Sequence, residues 1–244
     1  MKLSVNEPHK LRLQVFLSHS GVCSRRRALD MVKAGRVKLN GTVCLEPSTP
    51  VDPGKDRVEV NGRNIHGKAY DYILLNKPAG FTTTKADRFA DRTVLELLPG
   101  NLRHVAPAGR LDRETEGLLL LTNDGDVAYR LTHPKFNVDK TYFVRVSGRL
   151  DAAMKKNIER GIAVDGKMTA PAQIKDVLAH KDSTELTITI HEGRKRQIRI
   201  MFAKLGLKVV YLKRIQQGPL TLGALKTGAW RALSRQEIEQ LKKI

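Results

Sequence analysis

Apolar residues recur at every second position in two separate stretches, Tyr142, Val144 and Val146 in one and Leu186, Ile188 and Ile190 in the other. A period of two marks a strand with one buried face, so part of this chain must be sheet. The continuous apolar stretch over 118–121, followed by Thr122 and the turn signal Asn123-Asp124-Gly125, reads as a strand buried on both faces. Residues 72–75 lead into Asn76-Lys77-Pro78-Ala79-Gly80, a further strand ending in a turn. Helical spacing runs instead through Ile198, Met201, Phe202 and Leu205 and stops at Gly206. Strands and helices follow one another without a regular βαβ rhythm, which points to an α+β fold rather than a doubly wound sheet.

The first sixty residues have a different character. A short helix is expected within 11–19, with Leu13, Phe16 and Leu17 on one face and Gly21 ending it. Ser24 suits the N-cap of a second helix that runs to Ala34, carries Ala28, Leu29 and Val32 on its apolar face and terminates at Gly35. Asn40-Gly41 lies between the short runs 36–39 and 42–45, a hairpin signal, and 57–60 supplies another strand. The stretch 61–68 has two glycines and little apolar content and reads as a linker. The expected organisation is a small domain over 11–60, a linker over 61–69 and a larger domain over 70–240.

Charge narrows the partners. With 244 residues, 41% of them hydrophobic, the chain can bury a real core. Its 44 Lys and Arg against 25 Asp and Glu leave a net charge of +19, which self-repels unless a polyanion is near; nucleic acid is the default partner. The excess is densest at the start: residues 1–69 hold 13 basic and 6 acidic side chains, net +7, against 31 and 19, net +12, over 70–244. Arg25-Arg26-Arg27 falls where the second helix begins, and cations there oppose the helix dipole by about 0.3–1 kcal/mol each. A bound phosphate would reverse that sign, taking both backbone N–H groups and guanidinium forks; a solvated charged face is the plainer alternative.

Cys23 and Cys44 form no CxxC pair and have no His cluster beside them, so neither a zinc site nor a disulfide framework is expected. The apolar stretches are too short to span a bilayer, and Glu7, His9, Lys10 and Arg12 leave no room for an apolar leader. The chain reads as cytoplasmic.

Gly109-Arg110-Leu111-Asp112-Arg113-Glu114-Thr115-Glu116-Gly117 is a polar loop feeding the buried strand. Spacing alone favours Asp112 as a turn residue whose carboxylate caps local backbone N–H groups. A metal cluster of Asp112, Glu114 and Glu116 is disfavoured because Arg110 and Arg113 would compete with the ion.

Two resemblances change that weighing. Ser18-x-x-Gly21-x-x-Ser24-Arg25-Arg26 with Gly35-Arg36-Val37-x-x-Asn40-Gly41 resembles the core signature of the S4-type (α-L) RNA-binding domain, over roughly 11–58. The run Gly109-Arg110-Leu111-Asp112-x-x-Thr115-x-Gly117 and the strand after it, through Asp124-Gly125, resembles the catalytic motif of the RsuA family of ribosomal RNA pseudouridine synthases. Lys77-Pro78-x-Gly80, Lys140-x-Tyr142, Glu192-Gly193-Arg194-x-x-Gln197-Ile198-Arg199, Leu212-x-Arg214-x-x-x-Gly218 and Trp230-Arg231-x-Leu233 agree with that family in order. Two positions depart from it: Ile200 stands where a second arginine is frequent, and Ala108 where a larger apolar residue is usual.

The resemblance implies a catalytic domain on a mixed, largely antiparallel sheet with flanking helices, isomerising uridine to pseudouridine. That reaction breaks the bond between uracil N1 and the ribose, turns the base and joins C5 to the same carbon. It needs no metal or cofactor, because uracil leaves as a stabilised anion. It does need a carboxylate near the sugar, as nucleophile on the anomeric carbon or as acceptor of the 2′ proton. By resemblance, Asp112 is that carboxylate, Arg199 its cationic partner, Tyr142 the ring against the flipped base and Arg110 the side chain filling the vacated space. Lys77, Arg194 and Arg196, with Arg25, Arg26 and Arg27, are then candidate RNA contacts. The stretch 211–230 is closer to large-subunit than to small-subunit members, which makes 23S rRNA the expected substrate and 16S the alternative, for a chain acting as a monomer. A non-catalytic RNA-binding or ribosome-assembly protein is the competing reading, and a hydrolytic nucleosidase a more distant one.

Overall fold

The computed structural model describes residues 10–84 and 91–244. The N-terminal positions 1–9, on which the expectation of no leader partly rests, lie outside the described residues. The chain divides into two compact units, Met1–Tyr70 and Asp71–Ile244.

In the first unit, helices α1 (Leu13–His19) and α2 (Arg25–Lys33) pack on a four-stranded antiparallel sheet in the order Thr42–Val43, Val37–Leu39, Val58–Val60, Arg63–Ile65. Leu13, Phe16 and Leu17 of α1 and Ala28 and Val32 of α2 are fully buried with Val37, Val51 and Val58. Ser24 caps α2 as its residue type suggests, its side chain accepting the Arg27 N–H at 3.3 Å. Leu11–Arg12 is not helical but pairs with Pro50–Val51.

The stretch read as linker is also partly ordered into the sheet. Asn61 and Gly62 have φ of 48° and 76°, matching Asn40 and Gly41 at 52° and 86°. Both pairs make the tight left-handed turn that joins adjacent antiparallel strands. The second Asn-Gly therefore turns Val58–Val60 back into Arg63–Ile65.

The second unit is built on one sheet, in the order Gln173–Ala179, Ser183–Ile190, Lys140–Ser147, Val209–Gln217, Glu116–Thr122, Tyr72–Lys77, Trp230–Ala232. Every pairing is antiparallel except that between Glu116–Thr122 and Val209–Gln217, so the sheet is mixed but largely antiparallel. Helices cover both faces. α3 (Gly125–Thr132) and α6 (Arg235–Lys242) lie on one, α4 (Ala152–Arg160) and α5 (Gln197–Ala203) on the other. This explains the unbroken leucines: Leu119 and Leu121 enter one core, Leu118 and Leu120 the other, and all four are fully buried. Ala108 is buried in the second core, and Ile200 packs against the first.

The parallel pairing requires a glycine. Gly117 has φ of 103°, and a Cβ there would stand 2.2 Å from the Arg214 carbonyl oxygen. The polar loop before the strand is thereby drawn against Val209–Gln217, at the end of two interior strands of the sheet.

Candidate active site

A cleft of about 700 Å³ opens where the loop 110–115 faces the turn 193–196 and the start of α5. Its floor is Tyr142, Ile190 and Leu212, from three neighbouring strands. Alternation places them there: Tyr142, Val144 and Val146 share the buried face of Lys140–Ser147. Tyr142 is 8% exposed and stands in register with Ile188 and Arg214.

The loop is held by its backbone. Thr83 Oγ1 donates to the Leu111 carbonyl at 2.8 Å, and the Gly80 N–H donates to the Arg113 carbonyl at 2.8 Å. Lys77 Nζ lies beneath, within hydrogen-bond reach of four carbonyls: Thr115 at 2.9 Å, Pro78 at 3.0 Å, and Asp112 and Arg113 at 3.2 Å each. Lys77 is completely buried, and this burial pulls its pKa down to about 8 against the pull of Glu114, Glu116 and Asp112. The sequence reading that placed Lys77 at the RNA is therefore corrected. A lysine at a strand end looks solvated in sequence, but here the strand is covered on both faces and the ammonium is enclosed by the loop it supports.

Asp112 is half-buried and lines the cleft. Its main-chain carbonyl accepts the Thr115 N–H at 3.0 Å, which closes the turn. Its carboxylate caps no backbone N–H among the described residues, so the turn-cap role is not the one it adopts. Arg110 is exposed on the rim of the same cleft.

The remaining arginines separate. Arg196 lines the cleft with φ of 55° and forms an ion pair with Glu114 at 3.1 Å, which helps hold that carboxyl below its ordinary value after its own backbone N–H. Arg199, on the first turn of α5, donates to the Val209 carbonyl at 3.2 Å and reaches the Glu114 carbonyl and Thr115 Oγ1 at 3.5 Å. It makes no ion pair with Asp112 in this conformation. Its charge is nonetheless coupled to the site: burial and Arg196 lower its pKa, and Asp112 and Glu114 oppose them. Arg194 touches the cleft wall, but its guanidinium donates to the carbonyls of Val164, Lys167 and Met168 and pairs with Glu192 at 3.2 Å. It braces the hairpin of Ala163–Val164 and Lys167–Met168. The sequence expects an RNA contact from Arg194, and each of its donor nitrogens already has a protein partner here. Arg25, Arg26 and Arg27 lie in the other unit, all exposed at the start of α2.

Sequence reasoning missed Thr83, and it weighed Glu114 only as part of a metal cluster and not as the partner of Arg196. Thr83 lies in a threonine run with no motif, and only its two hydrogen bonds to Leu111 reveal it. No helix among the described residues is long and apolar enough to cross a membrane.

Comparison with known proteins identifies the family of each domain. Residues 71–204 match the family model of RNA pseudouridylate synthase, and residues 11–58 match that of the S4 domain. The chain is 40% identical to ribosomal large subunit pseudouridine synthase B of Bacillus subtilis (strain 168), covering 95% of both chains. It is 41% identical to an uncharacterized RNA pseudouridine synthase of Aquifex aeolicus (strain VF5), over 96% of this chain and 94% of that one. A crystal structure of a pseudouridylate synthase superposes with a TM-score of 0.67 at 31% identity, covering 95% of this chain and 99% of the other. A cleft lined by an uncapped aspartate, a strand tyrosine and arginines, together with matches of this length, makes the chain a member of the RNA pseudouridylate synthase family, carrying an S4 domain ahead of its catalytic domain.

Proposed function

We propose that this enzyme isomerises a uridine of large-subunit (23S) ribosomal RNA to pseudouridine, with Asp112 as the essential carboxylate. The observation that carries the reading is the Asp112 carboxylate itself, free of local caps on a loop pinned through its backbone, facing a cleft floored by Tyr142. The name of the Bacillus subtilis relative supports the choice of ribosomal subunit.

In this mechanism the target uridine leaves its stack, at a cost of a few kcal/mol, and enters the cleft. Arg110 on the rim occupies the space left in the RNA. Tyr142 lies against the uracil and assists removal of the C5 proton. Asp112 attacks the anomeric carbon or takes the 2′ proton, and uracil departs as an anion, turns and rejoins through C5. Arg199 moves from the carbonyls it now holds toward Asp112 and pairs with its carboxylate once RNA excludes water. Arg196 and the arginines at the start of α2 contact phosphate. No metal or cofactor takes part, and the protein acts in the cytoplasm as a monomer.

Asp112→Asn is expected to abolish pseudouridine formation in rRNA while changing RNA affinity by less than about threefold, or 0.7 kcal/mol. Mapping pseudouridines in rRNA from cells lacking the protein, then restoring wild type or the variant, tests both the residue and the subunit. Full restoration by the variant would refute the role of Asp112. A missing pseudouridine in 16S alone would refute the choice of substrate.

A further inference from the structure

The end of α3 carries a group of rings that the cleft does not use. Tyr129 and His133 have centroids 4.7 Å apart at 47°, and Phe136 meets Tyr129 edge-on at 5.8 Å. Lys135 Nζ sits 5.2 Å from the Tyr129 ring centre and 4.7 Å from that of Phe136. Phe136 packs partly into the core, but His133 is exposed and Tyr129 leaves 47% of its surface to water. Aromatic residues make up only 5% of this chain, so an exposed ring cluster is not the overflow of an aromatic-rich surface. The Lys135 N–H donates to His133 Nδ1 at 3.2 Å, which steadies the imidazole, and neither residue has an ion-pair partner among the described residues.

The end of α3 meets the start of the loop that carries Asp112. Thr132, between Tyr129 and His133 in sequence, brings its methyl within 3.1 Å of where a Cβ on Gly109 would stand, and Gly109 directly precedes Arg110. Extruding one nucleotide into the cleft breaks its stacking with both neighbours, and those bases then need another surface. Aromatic rings beside a cation provide one for any base, since every base has a π-face.

We propose that Tyr129 and His133 form a stacking platform for an unpaired base in the RNA strand that flanks the target uridine, with Lys135 turning to the adjoining phosphate. This rests on the RNA-modifying reading above. An apolar protein partner suits the patch less well, because Lys135 lies over two of its ring faces.

The test uses the full chain with a labelled single-stranded RNA of about 12 nucleotides and its blunt-ended duplex. Tyr129→Leu keeps apolar bulk but loses the π-face; it is expected to weaken single-strand binding by about 5- to 100-fold and leave duplex binding unchanged. Tyr129→Trp should bind the single strand as wild type does. Because Tyr129 is exposed, circular dichroism should show both variants folded. Equal affinities for wild type and Tyr129→Leu, or an equal loss on single strand and duplex, would overturn the platform. Pseudouridine formation by wild type is measured in parallel on rRNA, so that failure of the platform and failure of the enzymatic reading give different results.

Discussion

Asp112 and Lys77 illustrate how differently two residues of one site show themselves. Sequence points to the carboxylate only through the long motif that surrounds it, since spacing alone suggests a turn cap. It does not show the role of the lysine, which depends on four carbonyls, three of them about 35 positions away, converging on one ammonium. Replacing Lys77 with Met should leave the Thr115 and Pro78 carbonyls without this donor, each a loss of about 1–3 kcal/mol if unrelieved, while the Arg113 and Asp112 carbonyls keep the Gly80 and Thr115 N–H groups. The loop would loosen and Asp112 would lose its aim. Lys77→Met is therefore expected to lower kcat at least about tenfold while RNA Kd stays within about twofold; a raised Kd with intact kcat would instead put Lys77 at the RNA. Titration gives a second readout. The folded pKa near 8 lies below the ordinary 10.5, so burial of the ammonium destabilises the fold fully below pH 8, and this penalty fades between pH 8 and 10.5. Wild-type stability measured against Lys77→Met should rise with pH across that window, by up to about 3 kcal/mol.

Secondary elements with a clean period were readable, and those defined by a cap or a crossing were not. The strands Lys140–Ser147 and Ser183–Ile190 and helix α5 carry their periods openly. Helix α3 was hidden because Asn123-Asp124-Gly125 looks like a turn closing a strand. In the structure Asp124 accepts the N–H groups of Asp126 and Val127 as the helix cap and also accepts the Tyr72 hydroxyl at 2.6 Å. The strand Arg63–Ile65 was hidden because its Asn-Gly turn has few apolar residues after it. Gly117 belongs to the motif, but its physical duty is the contact between two strands. Gly117→Ala places a methyl against the Arg214 backbone, which no rotamer can relieve because the neighbouring atoms are main chain. The parallel pairing must part, so the variant is expected to lose about 3–5 kcal/mol of stability in chemical denaturation. A loss under about 1 kcal/mol would mean that the pairing tolerates displacement.

For the molecule as a whole, net charge carries a quantitative consequence. The +19 is shared between the units, but its density is greater over residues 1–69, where Arg25, Arg26 and Arg27 stand exposed at the first turn of α2. Ser24 already caps that helix, so the arginines are not needed to start it, and three cations at its positive end oppose its dipole. Phosphate bound there turns an unfavourable field into a favourable one. Each phosphate neutralised releases counterions, which steepens the fall of log K with log salt by about 0.7–0.9. Replacing all three arginines with Gln should thus weaken rRNA binding, flatten the salt slope by about 2 and leave kcat at saturating RNA unchanged, because the cleft lies in the other unit. Relief of the charge–dipole conflict should at the same time leave the protein as stable as wild type or slightly more so. An unchanged salt slope would remove these arginines from the RNA interface, whereas a lower kcat would mean that the first unit does more than hold the substrate.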